Sequence, residues 1–308
     1  MTDPIAFAPW VSREAQAIFA IEGAMPAAPA QDIATLRSHY HAFNERHLAV
    51  ALDHYPVEVM RDVIGGVAVD IVTPADAQVD ARTLLCLHGG AFMWGRGPGA
   101  LLEAVPVAAT AKMRVIAIEY ALAPEHVFPA AVDDILAVYR AVTSDRPAAS
   151  VGMYGCSAGA MLTAQATARL IAEGGPIPGA VAMLCGAGLD MIGDSQASAA
   201  VLTGQPGESH GLTRLPYFTG TDAGDPLVFP GEHDAVLARF PPSLLVTGSR
   251  DFAASSVTTM HRRLLAVGAR TQLLHFDGMW HAHHMATTMP ESRETFAALA
   301  RFFAAHLS

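Results

Sequence analysis

The strongest constraint on this chain is a serine set between glycines, in the pentapeptide GCSAG at residues 155–159. An apolar stretch at 150–154 precedes it, and a stretch rich in Ala, Leu, Met and Gln follows it over 160–172. These compositions predict a buried strand before the serine and a helix after it. The flanking glycines permit a sharp turn in which Ser157 is held in a strained backbone conformation. A G-x-S-x-G turn between a strand and a helix is typical of an exposed nucleophilic serine.

A second glycine motif, HGGAF at residues 88–92, directly follows an apolar stretch at 83–87. Adjacent glycines allow backbone N–H groups to turn toward a ligand oxygen. We expect the N–H groups of Gly89, Gly90 and Ala158 to form an oxyanion hole, each contributing roughly 3–4 kcal/mol to a tetrahedral intermediate. The alternative is a tight β-turn after a strand, which the serine motif downstream makes the weaker interpretation.

Apolar strands and helical segments alternate along most of the chain. Strands are predicted at 57–60, 67–71, 83–88, 114–119, 150–154, 180–186, 243–247 and 271–276, and helices near 100–112, 128–143, 158–173 and 253–267. The first two strands flank a Gly65-Gly66 turn, as in a hairpin. The pattern predicts an α/β fold, with an eight-stranded, mostly parallel sheet covered by helices on both faces.

Two segments depart from this alternation. Residues 1–50 are helical and amphipathic, with an interruption at 25–29, and residues 188–225 are rich in Gly, Ser, Asp and Ala. We interpret 1–50 as N-terminal cap helices and 188–225 as a cap insertion. The catalytic domain then comprises 51–187 and 226–308. The apolar C-terminal helix at 290–306 fits either a dimer interface or the core.

The serine requires a base and an acid, which in this strand order follow it along the chain as Asp or Glu and then His. Asp251 comes shortly after the strand at 243–247, and His281 follows the strand at 271–276. Both loops leave the same edge of the sheet. The sequence therefore predicts a Ser157, Asp251 and His281 triad.

Rival assignments exist for both partners. Asp277 lies too close to the end of its strand, and His283 and His284 are near neighbours of His281. Asp251 alone also fits a helix N-cap. The histidine cluster lacks a Cys or acidic ligand at a recognised metal-site spacing, so no metal is predicted.

Composition limits the classes of function. Hydrophobic residues make up 52% of the 308 residues and charged residues 16%, which favours a large core. The net charge of −10 disfavours nucleic acid as a partner. Three sparse cysteines, Cys86, Cys156 and Cys185, are typical of free thiols in a reducing compartment. No signal peptide or membrane span is evident, so we expect a cytoplasmic protein without stable membrane insertion.

The motifs together resemble the hormone-sensitive-lipase family of bacterial esterases. HGGAF at 88–92 is similar to that family's HGGG/A block, and YALAPEHVFPAAVDD at 120–134 closely resembles its most specific block. The GCSAG turn resembles its G-D-S-A-G-G, and Asp251 and His281 occupy the places of its acid and base. The resemblance covers about residues 60–305. It implies the α/β-hydrolase fold, a lid of N-terminal helices and an insertion, and the triad and oxyanion residues given above.

Four positions depart from the family pattern without removing a catalytic group. Cys156 replaces an acidic residue before the nucleophile, and Ala160 replaces a glycine. Phe252 replaces the proline after the acid, and Ala282 replaces the glycine after the base. We expect these changes to alter substrate preference and loop packing.

The resulting hypothesis is a serine carboxylesterase for short- to medium-chain acyl esters that needs no cofactor. Lactone, carbamate or amide hydrolysis on the same triad is the alternative, and a non-catalytic binding protein is disfavoured because the triad is complete. The expected partner is a small-molecule ester, with a homodimer as a further prediction. The predicted substrate pocket is lined by Phe92, Met93, Trp94, Leu189, Met191, Tyr217, Phe218, Met279 and Trp280.

Overall fold

A single twisted sheet organises the chain in the computed structural model, which describes residues 6–23, 32–75, 81–203 and 211–308. Its strands are β1 (Val57–Ile64), β2 (Val67–Pro74), β3 (Thr83–Leu87), β4 (Arg114–Ile118), β5 (Val151–Cys156), β6 (Ala180–Leu184), β7 (Ser243–Arg250) and β8 (Thr271–Trp280). They lie in the order β1-β2-β4-β3-β5-β6-β7-β8. β2 pairs antiparallel with β1 and β4, and the other pairs are parallel. The predicted fold class is confirmed.

Helices connect the strands and cover both faces of the sheet. They are α1 (Arg13–Gly23), α2 (Ile33–His54), α3 (Pro98–Ala111), α4 (Ala130–Val142), α5 (Ala158–Glu173), α6 (Asp194–Thr203), α7 (Asp234–Leu237), α8 (Ala254–Ala266) and α9 (Pro290–His306). Within β3, Leu85 and Leu87 belong to one buried cluster, while Leu84 and Cys86 belong to the other. This alternation follows from the two-residue period of a strand, and it places a separate core on each face.

Several elements extend beyond their predicted ends: β1, β2 and β7 are each three or four residues longer than predicted, and β8 and α2 also continue further. β8 continues to Trp280 instead of ending at 276, because pairing with β7 resumes after an irregularity and joins Arg250 to Trp280. α2 continues to His54, four residues beyond the predicted end of the N-terminal helical segment. Asp277, a rival for the catalytic acid, therefore lies inside a strand. Its carboxylate accepts hydrogen bonds from Trp10 Nε1 and Ser249 Oγ.

The apolar face of α9 is part of the core. Phe296, Leu299, Phe302 and Phe303 are all at most 4% exposed and pack in the same cluster as β3 and β5 residues. Of the two interpretations that the sequence left open for this helix, the structure supports core packing.

The two segments interpreted as cap lie against the loops that carry the site. Arg37 of α2 donates to the carbonyl oxygens of Met93 and Ala123 and forms a bidentate pair with Glu125. In α6, the Ser195 hydroxyl donates to the Phe252 carbonyl oxygen at 2.6 Å. The interruption at 25–29 and part of the insertion, 204–210, lie outside the described residues. A lid function for these segments stays a prediction.

None of the helices in the described part of the chain is long and apolar enough to cross a membrane.

Candidate active site

Ser157 occupies the turn between β5 and α5. Its backbone angles, φ of 55° and ψ of −115°, lie outside the regions that residues other than glycine normally adopt. Its backbone N–H donates to the Leu184 carbonyl oxygen at 2.8 Å, which fixes the turn to β6. A Cβ atom at Gly159 would overlap the Leu87 carbonyl oxygen of β3. Glycine is therefore required where the start of α5 passes the neighbouring strand.

The three predicted triad side chains are brought together by hydrogen bonds. His281 Nε2 lies 2.9 Å from Ser157 Oγ, and His281 Nδ1 lies 2.8 Å from Asp251 Oδ1. An ionised carboxylate only accepts hydrogen bonds, so we assign the ring proton to Nδ1. Nε2 is then free to accept the serine proton, which is the arrangement that general-base catalysis requires.

Asp251 is completely buried and held by several donors. Its Oδ2 accepts from Thr247 Oγ1 at 2.7 Å, and its Oδ1 accepts from the Ala253 N–H at 2.9 Å. Burial alone raises the pKa of this carboxyl, but the attraction of His281 and the hydrogen bonds outweigh it and leave the pKa below its ordinary value. The acid is therefore ionised whenever the site is folded at neutral pH.

Phe252 contributes a contact that the sequence reasoning missed. Its ring stacks on the His281 imidazole, with 4.0 Å between the ring centroids and 22° between the planes. In the sequence, this residue stands out only as a replacement for proline, directly after the predicted acid. In the structure, its stacking restricts the rotation of the His281 imidazole.

The oxyanion prediction requires one correction, at Gly89. The Gly89 N–H donates to Glu103 Oε1 at 2.6 Å, so it is not available to a substrate oxygen. The N–H groups of Gly90, Ala91 and Ala158 have no acceptor among the described residues. Ala158 begins α5, and the first N–H groups of a helix lack partners within it. Gly90 and Ala158 stay predicted donors, and Ala91 is the residue that sequence reasoning overlooked.

Glu103 is a buried carboxyl group directly beneath this loop. It is 3% exposed, and its Oε1 accepts a hydrogen bond from the Gly89 N–H at 2.6 Å. Burial raises its pKa to about 8, although the Gly89 N–H and the nearby Cys156 N–H favour the ionised form. The side chain thus joins the oxyanion loop to the serine turn. The sequence feature that points to Glu103 is that it is the single acidic residue within the otherwise apolar α3, 98–111.

The block at 120–134 supports the same loop from its other side. The Tyr120 ring stacks on His88 with centroids 4.2 Å apart, and its hydroxyl donates to the His88 carbonyl oxygen at 2.6 Å. The Asp134 carboxylate accepts a hydrogen bond from the Ala121 N–H at 2.8 Å, so the two ends of the block are joined. These contacts explain why the motif at 88–92 and this block occur together.

The predicted pocket is wrong for three residues. Phe92, Tyr217 and Met279 are 0% exposed and leave no surface for a substrate. Phe92 stacks on Tyr217 with centroids 4.1 Å apart, so the two rings bury their faces against each other. Met279 packs in the core cluster beneath the sheet edge.

The other six predicted lining residues stay predictions. Leu189, Met191 and Phe218 are 3–4% exposed. Trp280 packs against Phe19 of α1 with ring centroids 5.2 Å apart.

Trp94 and Met93 lie beside α2. Trp94 stacks on Tyr40 with centroids 4.4 Å apart, and it lines a cavity of about 380 Å³. Arg37, His41, Asn44 and Arg96 also line this cavity. Met93 is partly buried, and its carbonyl oxygen accepts a hydrogen bond from Arg37 Nε.

Comparison with known proteins agrees with this architecture. Residues 84–285 match the protein family described as alpha/beta hydrolase fold. The chain belongs to this family. It is 30% identical over 247 residues to an acetyl-hydrolase of Streptomyces hygroscopicus, covering 78% of this chain and 80% of that protein. It is 29% identical to an esterase of Acinetobacter venetianus, covering 73% and 76% of the two chains.

Solved structures give the same result over the whole length. The crystal structure of an esterase, E25, superposes with a TM-score of 0.83 at 29% identity and covers 100% of this chain and 99% of its own. A bacterial hormone-sensitive-lipase family esterase at 23% identity has a TM-score of 0.82, with 99% and 100% coverage, and shows the shared fold. The predicted α/β-hydrolase fold and the resemblance to esterases with this fold are confirmed.

Proposed function

We propose that this α/β hydrolase is a serine carboxylesterase acting on short- to medium-chain acyl esters. The observation that carries the proposal is the continuous hydrogen-bonded chain from Asp251 through His281 to Ser157. The relatives named as an acetyl-hydrolase and esterases support an ester as the substrate.

The geometry supports a two-step acyl transfer. His281 Nε2 takes the proton of Ser157 as Oγ attacks the ester carbonyl carbon, and Asp251 stabilises the resulting imidazolium. The N–H groups of Gly90, Ala91 and Ala158 stabilise the oxyanion. His281 then protonates the leaving alcohol, and water attacks the acyl-enzyme by the same sequence of proton transfers. Ser157 is regenerated when the carboxylic acid leaves.

The surroundings of the serine turn support a confined acyl site. A Cβ atom at Gly186 would lie 2.7 Å from the Ser157 carbonyl oxygen and 2.9 Å from Met191 Cε. The Met191 side chain therefore lies near the Ser157 backbone, and it belongs to a buried apolar cluster that includes Leu189 and Phe218. A long acyl chain would have to displace packed side chains, which favours short and medium chains.

The test is hydrolysis of p-nitrophenyl esters from acetate to palmitate by the wild type, Ser157→Ala and a control, Ser198→Ala. Ser198 is an exposed serine on α6 and should leave the activity unchanged. We expect activity to be highest for short chains and to disappear in Ser157→Ala. Unchanged turnover in that variant would refute the assignment of the nucleophile. A folded wild type that is inactive on every ester, but active on lactones, carbamates or amides, would support the alternative substrate classes.

Assembly and location are proposed from the sequence alone. We retain a cytoplasmic homodimer as the expected state. Light scattering of the purified protein would give its mass in solution, and cell fractionation would test its location.

A further inference from the structure

Two thiols lie together beneath the serine turn. Cys156 ends β5, and Cys185 follows β6, its neighbour in the sheet. They are 1% and 0% exposed and form no disulfide. The N–H of Ala282, the residue after His281, donates to Cys185 Sγ at 3.3 Å. The pair is thus built into the loops that carry the triad.

A buried imidazole completes this group. His284 is 3% exposed, and one of its ring nitrogens and the two Sγ atoms all lie within 4.8 Å of one another. His284 Nδ1 has no hydrogen-bond partner among the described residues, which is costly for a buried polar atom. Burial lowers the pKa of His284 to about 3, so its ring is neutral at physiological pH. A neutral imidazole has the lone pair that metal coordination needs.

We propose that Cys156, Cys185 and His284 form a site for a thiophilic divalent cation such as Zn²⁺ or Cd²⁺. Two thiolates and one imidazole are a donor set that these ions prefer. Ligand atoms around a tetrahedral zinc ion lie roughly 3.5 Å apart, so small side-chain rotations are sufficient to close the site. On binding, each thiol releases its proton to solvent and forms one sulfur–metal bond. His284 supplies a third bond, and no oxidation state changes.

The position of the site gives a consequence for the triad. Cys185 also belongs to a second group, in which its Sγ, an Asp251 oxygen and a His281 nitrogen lie within 4.8 Å of one another. A divalent cation here attracts the Asp251 carboxylate and competes with its contact to His281. The cation should therefore inhibit ester hydrolysis. This inhibition rests on the proposed function, whereas the proposed metal binding is independent of it. The His281 side chain is 21% exposed, while the thiols are buried, so we expect inhibition to develop slowly.

The test is a CdCl₂ titration of the full chain under a non-thiol reductant. It is followed by the ultraviolet thiolate-to-cadmium charge-transfer band and by metal analysis after desalting. Each site variant has a buried matched control. Cys156→Ala is compared with Cys86→Ala, because Cys86 is a buried thiol outside the group. His284→Gln is compared with His283→Gln, because His283 is a fully buried neighbour, also with an unpartnered Nδ1.

We expect one cadmium ion per chain and the band in the wild type and both controls. Cys156→Ala should lose the band. His284→Gln should bind cadmium more than about tenfold more weakly. Mutation of a residue that only hydrogen-bonds to a metal ligand already weakens metal binding by about this factor. Absence of the band in the wild type, or equal affinity in all variants, would overturn the proposal. If one site variant does not fold, the other pair decides.

The esterase assay is a separate measurement on the same samples. We expect cadmium to inhibit the wild type slowly and a chelator to reverse that inhibition. If Cys156→Ala is not inhibited, the coupling between the metal site and the triad is supported. Cadmium binding without any loss of esterase activity would overturn the inhibitory role alone. An enzyme that is inactive on esters but shows the band would refute only the proposed function.

Discussion

The buried carboxyl of Glu103 makes a prediction about the pH dependence of stability. Glu103 accepts a hydrogen bond from the Gly89 N–H, and burial raises its pKa to about 8. Glutamine has nearly the same volume and keeps an oxygen that accepts the same hydrogen bonds, but it does not titrate. Glu103→Gln therefore removes the titration while keeping the contacts.

The sign and size of the effect follow from the two pKa values. An unfolded glutamate loses its proton near 4.5, whereas Glu103 in the folded chain keeps it until about pH 8. Between these values the folded state binds more protons, so the contribution of Glu103 to the free energy of unfolding decreases as the pH rises. The gap corresponds to about 5 kcal/mol across the whole window. Glu103→Gln should lack this decrease and be the relatively more stable protein at alkaline pH.

Urea unfolding at several values from about pH 5 to about pH 9 measures this difference. The wild type and Glu103→Gln share every other titrating group, so the difference between their unfolding free energies isolates Glu103. Glu294→Gln, at an exposed position on α9, is the matched control and should follow the wild type. Parallel curves for the wild type and Glu103→Gln would show that the carboxyl is already ionised throughout this range, and would refute the reasoning.

Three further substitutions test other parts of the structure. Asp251→Asn should lower kcat by about 10⁴-fold, because an amide stabilises the wrong imidazole tautomer; a loss below about tenfold in a folded variant would contradict the triad. Gly159→Ala places a methyl group into β3 and should cost at least about 3 kcal/mol in urea unfolding, whereas Gly175→Ala, whose Cβ would make only an ordinary contact with the Leu170 carbonyl oxygen at 3.8 Å, should change little. Tyr217→Phe removes a 2.9 Å hydrogen bond to buried Gln165 and should cost about 1–3 kcal/mol; an unchanged Tm would argue against that bond.

The parts of the site that the sequence predicts best are those encoded locally. Ser157 lies in a motif whose strand, turn and helix are contiguous, so one segment contains both the residue and its geometry. Asp251 and His281 each follow a strand, and parallel strands place their carboxyl ends at one sheet edge. The position of a residue directly after a parallel strand is therefore enough to predict that it lies at this edge. This explains why the sequence selects three residues that hydrogen bonds join in the structure, although they are up to 124 positions apart.

The remaining features depend on contacts between distant segments. The carboxyl of Glu103 meets the Gly89 N–H only because α3 returns beneath the oxyanion loop, and a single acid in an apolar helix does not reveal that. Phe92 is predicted in the pocket because it lies beside a motif, and Tyr217 because it lies in the cap insertion. Whether an aromatic ring faces a substrate or another ring depends on packing between an insertion and a loop, which the spacing of residues does not encode.

The order of the strands has a consequence for how activity is lost on heating. The proposed nucleophile, Ser157, directly follows β5, which has paired strands on both sides, whereas the proposed base, His281, follows β8, which pairs only with β7 at the end of the sheet. Local opening of an edge strand requires less free energy than global unfolding. Fraying of β8 would separate His281 from Ser157 while most of the core stays intact. The proposed catalytic geometry thus depends on an edge strand, and inactivation should precede the global melting transition.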